Sequence, residues 1–274
     1  MKVFALSDIH IDYAANRRWI EGLSEFDYRG DVLILAGDLS DSLALVNQCF
    51  AAIARRFLKV LYVPGNHDLW VLRDVPGLLS FGKLELVRAA AAEHGVSMAP
   101  FHCGPVSIVP LFSWYDDSFG TPGQALRERW MDYRACRWPG DIDAHGINAR
   151  FLGMNHSALQ VRNQTVISFS HFVPRLDLLA PTETTRLLQP VMGSVDLEAQ
   201  IRRLMPAIHV YGHSHRNVDT TKDGIRYVNH AFGYPSEQRA GPPPLRSILE
   251  FDPQHVAAYA GAHSAATPRS ALTQ

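Results

Sequence analysis

Short apolar runs that stop abruptly at polar turns recur along this chain, and stretches with helical spacing separate them. Lys2 to Leu6, Asp31 to Ala36, Val60 to Val63, Val106 to Phe112, Val166 to Ser170 and Ala207 to Tyr211 are apolar almost throughout. Each is too short for a typical helix, so the pattern predicts strands buried on both faces. Two further strands, Gly224 to Asn229 and Ser247 to Phe251, flank a Gly/Pro-rich loop. Apolar residues at helical spacing predict helices over Asn16 to Leu23, after Ser42 as far as Phe57, over Leu84 to His94, over Asn148 to Val161, and over Ser194 to Met205. Ser42 and Ser194 stand where N-caps are expected. Strand, polar turn and helix in repetition describe an α/β fold with parallel neighbours and sites at the carboxyl ends of the strands.

One stretch breaks the rhythm. Ser113 to Arg150 carries Trp114, Tyr115, Trp130, Tyr133 and Trp138 among Asp, Arg, Gly and Pro without clean periodicity. It reads as an inserted cap, either a lid or substrate wall or a cover for a sheet edge. No repeat or low-complexity linker divides the chain, so residues 1–274 are expected to form a single domain, with a frayed tail from about 261 to 274.

The polar turns concentrate the chemistry. Strand ends deliver Asp8 and His10, then Asp38 after Gly37, then Asn66, His67 and Asp68 after Pro64-Gly65, then His171, then His213 and His215 after Gly212. Pro64 ends the strand ladder and Gly65 permits a sharp turn, which exposes the Asn-His-Asp triplet beyond it. In an extended segment the alternate residues of Asp-x-His and His-x-His face the same side and can share an ion. Any one of these turns could be a polar turn bonded to its own backbone. Together the Asp/Asn/His set exceeds the four ligands of a structural zinc site and suits two ions sharing a bridging carboxylate. His156, alone on its helix, and His209, inside a strand, read as packing residues.

In this order DIH, GD, GNHD, a lone His after an apolar strand, and GHSH resemble the signature of the calcineurin-like metallophosphoesterases, from Asp8 to His215. The resemblance implies a four-layer α/β/β/α sandwich of two stacked mixed sheets. It implies Asp8, His10 and His215 on one divalent ion, Asn66, His171 and His213 on a second, and Asp38 bridging both, the metals being manganese, iron or zinc. It also implies a phosphohydrolase in which a metal-bridging hydroxide attacks a small phosphate ester or diester, His67 donates a proton to the leaving oxygen and Asp68 orients that imidazole. Protein phosphatases of the family extend these blocks to GDxxDRG and GNHE, whereas this chain reads GDLSDSL and GNHD. The pattern is closer to the small phosphodiesterase and phosphohydrolase branches, with a nucleotide among the candidate substrates. A phosphomonoesterase of a small metabolite and a non-catalytic metal-binding scaffold are the alternative readings. Asn66, Arg175 and Arg216 could meet phosphate, and Trp114 and Tyr115 could stack on a ring.

Composition narrows the partners. Charged residues are 19% of 274 and the net charge is −1, which lacks the basic footprint of a nucleic-acid binder or nuclease. Three widely spaced cysteines in no CxxC pattern, no signal-peptide core and no run of membrane-span length lead to a cytoplasmic protein without membrane contact as the expectation.

Overall fold

The computed structural model describes residues 1–238 and 241–254. Among these residues ten strands form two mixed sheets. The first has the order β10-β1-β2-β3, with β1 (Lys2–Leu6), β2 (Val32–Ala36) and β3 (Lys59–Val63) parallel and β10 (Arg246–Glu250) antiparallel to β1. The second has the order β4-β5-β6-β7-β9-β8. In it β5 (Val106–Pro110), β6 (Thr165–Phe169), β7 (Ile208–Tyr211) and β9 (Ile225–Asn229) are parallel, and β4 (Phe101–Cys103) and β8 (Val218–Lys222) close the edges antiparallel. These two edge strands are not legible in the apolar pattern: β4 is three residues long and β8 alternates half-buried with exposed positions.

Strand periodicity creates the layers. Val3, Ala5, Val32, Ile34, Leu61 and Val63 share one apolar cluster with Ile108, Ile167, Phe169, Ile208 and Val228, the filling between the sheets. The intervening residues Phe4, Leu6, Leu33, Leu35 and Tyr62 join the other cluster, with Val46, Phe50 and Ile53 of α2 (Leu43–Ala54) and Leu84 and Val87 of α3 (Ser80–Glu93). Successive side chains on a strand thus serve two cores, and the result is the α/β/β/α sandwich. α1 (Ala14–Glu21) packs beside α2, while α8 (Val195–Leu204) lies with the second sheet's outer core. Ser194 caps α8 by accepting from Asp196 N, but Ser42 makes no side-chain cap for α2; instead its N–H donates to Ser40 Oγ at 3.0 Å.

The irregular stretch contains α4 (Gln124–Arg129), α5 (Asp132–Ala135) and the start of α6 (Ala144–Gly153). Trp114, Tyr115, Cys136 and Ile147 are buried in the main core, so much of the segment is packing. α7 (Glu183–Leu188) lies between β6 and α8 in sequence. The expected tail at 261–274 lies outside the described residues. Cys49, Cys103 and Cys136 are free thiols, and among the described residues no helix is long and apolar enough to cross a membrane.

Candidate metal centre

All the parallel strands that carry the polar motifs end on the same side. There Ser7 joins the sheets, donating to His230 O at 3.0 Å and accepting from Phe232 N at 2.8 Å. Asp8, His10, Asp38 and Asn66 follow strands of the first sheet, and His171, His213 and His215 follow strands of the second. All are buried or nearly so.

The backbone reaches this convergence by an unexpected route. Asp8, His10, Asp38, His213 and His215 have φ of 53°, 46°, 59°, 66° and 50°. The extended Asp-x-His and His-x-His segments anticipated from spacing are therefore corrected: alternate residues turn inward because each sits in the left-handed region. That region is costly for residues other than glycine and is characteristically retained at functional sites. Gly37 and Gly65 make the crowding possible. A Cβ on Gly65 would lie 2.0 Å from Asp38 Oδ1, and one on Gly37 would lie 2.4 Å from His171 Nδ1.

Two donor sets result, Asp8–His10–Asp38–His215 and Asp38–His171–His213, with Asp38 in both. The second set has the chemistry of a cation site. His171 Nδ1 donates to Ala36 O at 2.8 Å and His213 Nε2 donates to Val191 O at 3.0 Å. Burial, outweighing the nearby Asp8 charge, holds both rings below the usual histidine range, so they are neutral. Their remaining nitrogens, both lone pairs, face each other at 3.1 Å, and Asn66 Oδ1 lies 3.1 Å from the same His171 nitrogen. Acceptors that converge with no hydrogen between them are satisfied by a metal ion. In the first set His10 Nε2 lies 3.1 Å from His215 Nε2, which is 3.4 Å from Asp8 Oδ1. Burial disfavours the Asp8 carboxylate, yet the facing His215 outweighs it and holds the group well below the carboxylate range. His215 in turn is pushed up to about 10, against its burial, by Asp8 and Glu237. Asp38 is pushed up by burial and by the nearby charges of Asp68 and Asp8, a congestion that divalent cations relieve.

His67 stands at the rim of this cluster. Its Nε2 is 3.9 Å from Asp38 Oδ2, and its ring stacks on Trp70 with centroids 3.7 Å apart. Burial, and after it the imidazoles of His171 and His215, holds it at about 3, so the ring is neutral at pH 7 with one N–H to donate. Asp68 does not orient it. The Asp68 oxygens accept the backbone N–H groups of Asp38, Leu39, Ser40 and Gly65 at 2.8–3.0 Å, which fixes the bridging loop instead.

The other expected contacts divide. Asn66 and Arg216 line the cleft over the donor sets, a cavity of about 400 Å³. Trp114 and Tyr115 are 1% and 2% exposed and pack against Phe172, so they are core residues and not a stacking surface. Arg175 is engaged by Asp177, Glu198 and Asp223, away from the lining of the cleft. His209 is a satisfied core residue, bonded to the hydroxyls of Ser168 and Ser170. Sequence reasoning missed Glu237, which accepts from His215 Nδ1 at 2.8 Å, and Tyr234, whose ring lies 4.5 Å from His10 and 4.7 Å from His215. It places Trp130, a wall of the cleft, only as one aromatic of the inserted segment, and it missed Asp132 beneath. None of these lies in a motif, and only the aromatic density around residue 130 points to the segment.

Comparison with known proteins places this geometry. The sequence model described as calcineurin-like phosphoesterase matches residues 1–217. A Mycobacterium tuberculosis protein named acyl-carrier-protein phosphodiesterase PptH is 28% identical over 295 residues, covering 97% of this chain and 89% of that protein. The crystal structure of phosphopantetheinyl hydrolase (PptH) from Mycobacterium tuberculosis matches with a TM-score of 0.78 at 26% identity, over 93% of this chain and 97% of that one.

Proposed function

This chain belongs to the calcineurin-like phosphoesterase family and is a metal-dependent phosphoester hydrolase, and on that premise we propose that it is a phosphodiesterase releasing a phosphopantetheine-type arm from a carrier-protein hydroxyl. The observation that carries this reading is the near full-length similarity to a relative with that printed activity. The cleft supports it. Leu179, Leu188, Met192 and Trp130 give apolar wall, and Thr182 and Thr185 give hydroxyls, above the donor sets. A long arm carrying both methyl groups and amides needs that mixture.

Asp8, His10 and His215 would hold one ion, Asn66, His171 and His213 the other, with Asp38 shared; manganese, iron and zinc all suit these donors. Bound, the pair would supply positive charge to phosphate oxygens and make water acidic enough to ionise near neutrality. The chain's own contribution is to orient and to move a proton. Water adds to phosphorus and gives up a proton, the bond from phosphorus to the carrier's hydroxyl oxygen breaks, and that oxygen takes a proton from His67, which the proton lost by the water restores. The anionic ester beside the ring favours the protonated imidazole that this step needs. Arg216 at the rim meets the phosphate or the arm. Three free thiols suit a reducing compartment, which supports a cytoplasmic setting.

The test is to incubate manganese-loaded protein with a phosphopantetheinylated acyl carrier protein and follow the carrier's intact mass. Loss of the whole phosphorylated arm is expected, together with cleavage of bis-(4-nitrophenyl) phosphate in preference to 4-nitrophenyl phosphate. Diester cleavage with an untouched carrier would overturn the substrate, and monoester preference would overturn the diesterase reading.

A further inference from the structure

Asp132 opens α5 and is 3% exposed, at the floor of the cleft beside Asn66 and Trp70. Its Oδ1 accepts from Asn66 Nδ2 at 2.9 Å and from Trp70 Nε1 at 2.7 Å, and its Oδ2 accepts from Trp130 Nε1 at 2.8 Å. Three N–H donors, two from the Asn66–Trp70 turn and one from Trp130 just before α5, thus meet one carboxylate that has no cation beside it.

Each of the three donors touches the centre. An amide can present either end to a partner, and the bond from Nδ2 to Asp132 leaves Asn66 Oδ1 facing His171. Trp70 is the surface on which His67 stacks, and Trp130 lies edge-on to His213 with centroids 5.9 Å apart. We propose that Asp132 is the positioning residue of the second ion site: it sets which atom of Asn66 the ion meets, and through two indoles it fixes the shelf under His67 and the wall beside His213. The irregular segment therefore acts on the centre from below, as a buttress and not as a lid.

An apolar or amide residue at this position fails for stated reasons. Alanine leaves the buried Asn66 N–H and two half-buried indole N–H groups without an acceptor and frees the Asn66 amide to rotate, which turns N–H toward the ion. Asparagine keeps one acceptor oxygen but aims its own N–H₂ at an indole N–H. Partners of metal ligands of this kind are worth about 10–100-fold in metal affinity.

This inference rests on the assignment of Asn66 to the ion held by His171 and His213, and its test separates the two. Metal-free wild type, Asp132→Ala, Asp132→Asn and Asn66→Ala are titrated with manganese(II) alone by calorimetry, and the thermal midpoint of each metal-free protein is recorded. Asp132→Ala and Asn66→Ala are each expected to weaken one of two binding events by about 10–100-fold and to spare the other. Asp132→Asn should fall between Asp132→Ala and wild type, and should lower kcat on bis-(4-nitrophenyl) phosphate more than it raises KM. Should Asp132→Ala not fold, Asp132→Asn is read alone by the same criterion. Two wild-type affinities in a folded Asp132 variant would overturn the positioning role, as would equal loss of both events. Two wild-type affinities in Asn66→Ala would instead overturn the ligand assignment.

Discussion

A side chain held by a left-handed backbone cannot be judged by its chemistry alone. Five donor residues of the centre sit at positive φ, and the glycines between them leave no room for a single carbon. Gly65→Ala should therefore perturb Asp38 directly and abolish most metal-dependent turnover while the chain still folds; wild-type turnover would mean that the turn can relax. His67→Ala is expected to lower kcat by about 10²–10⁴-fold, the usual worth of a general acid, with metal content measured by atomic absorption unchanged. Trp114 shows where residue-level reading goes astray. An aromatic at a loop start looks available for stacking, yet it is enclosed by Trp138, Phe151 and Phe172. Trp114→Ala should cost about 3–5 kcal/mol of stability in urea unfolding, with no selective rise in KM for the larger substrate. Identity and spacing disclose the donors because each follows directly on its strand. Burial of Trp114 and three of the four backbone bonds of Asp68 depend on partners tens of residues away, which no local pattern carries.

Elements are legible in proportion to how completely they are buried. The central strands read as unbroken apolar runs because both faces meet a core, whereas edge strand β8, with exposed Asp219 and half-buried Val218 and Thr220, shows no such run. β7 contains a consequence of its own. His209 is fully enclosed between Ser168 and Ser170, and burial holds it at about 3 against an ordinary 6.5. Its folded value is depressed, so between these values the unfolded chain takes up a proton that the folded one refuses, and stability falls as pH drops below 6.5. The slope for one such group is about 1.4 kcal/mol per pH unit. Wild type should lose about 2 kcal/mol more than His209→Gln between pH 6.5 and 5; equal losses would show that the ring protonates in place.

At the scale of the molecule, each donor set draws on both sheets. The first takes Asp8, His10 and Asp38 from one and His215 from the other; the second takes Asp38 from one and His171 and His213 from the other. Ions bound there would join two layers otherwise held by apolar packing, by backbone bonds around Ser7 and by a few side-chain bonds such as His171 to Ala36 O. Manganese at about 100 times its dissociation constant should add about 2.7 kcal/mol per site, raising the thermal midpoint by roughly 5–10 °C for one site in a chain of this size. A chelator scan with no shift would mean that no ion binds the folded chain in preference to the unfolded one.

That arrangement makes the folded lifetime of the chain a function of its surroundings. With metal scarce, the donor end of the sandwich would open more often, and proteases that act on open states would cut it sooner. Abundance of the protein would then follow metal supply even with synthesis held constant, so a cell starved of the ion would clear idle copies before they could accumulate.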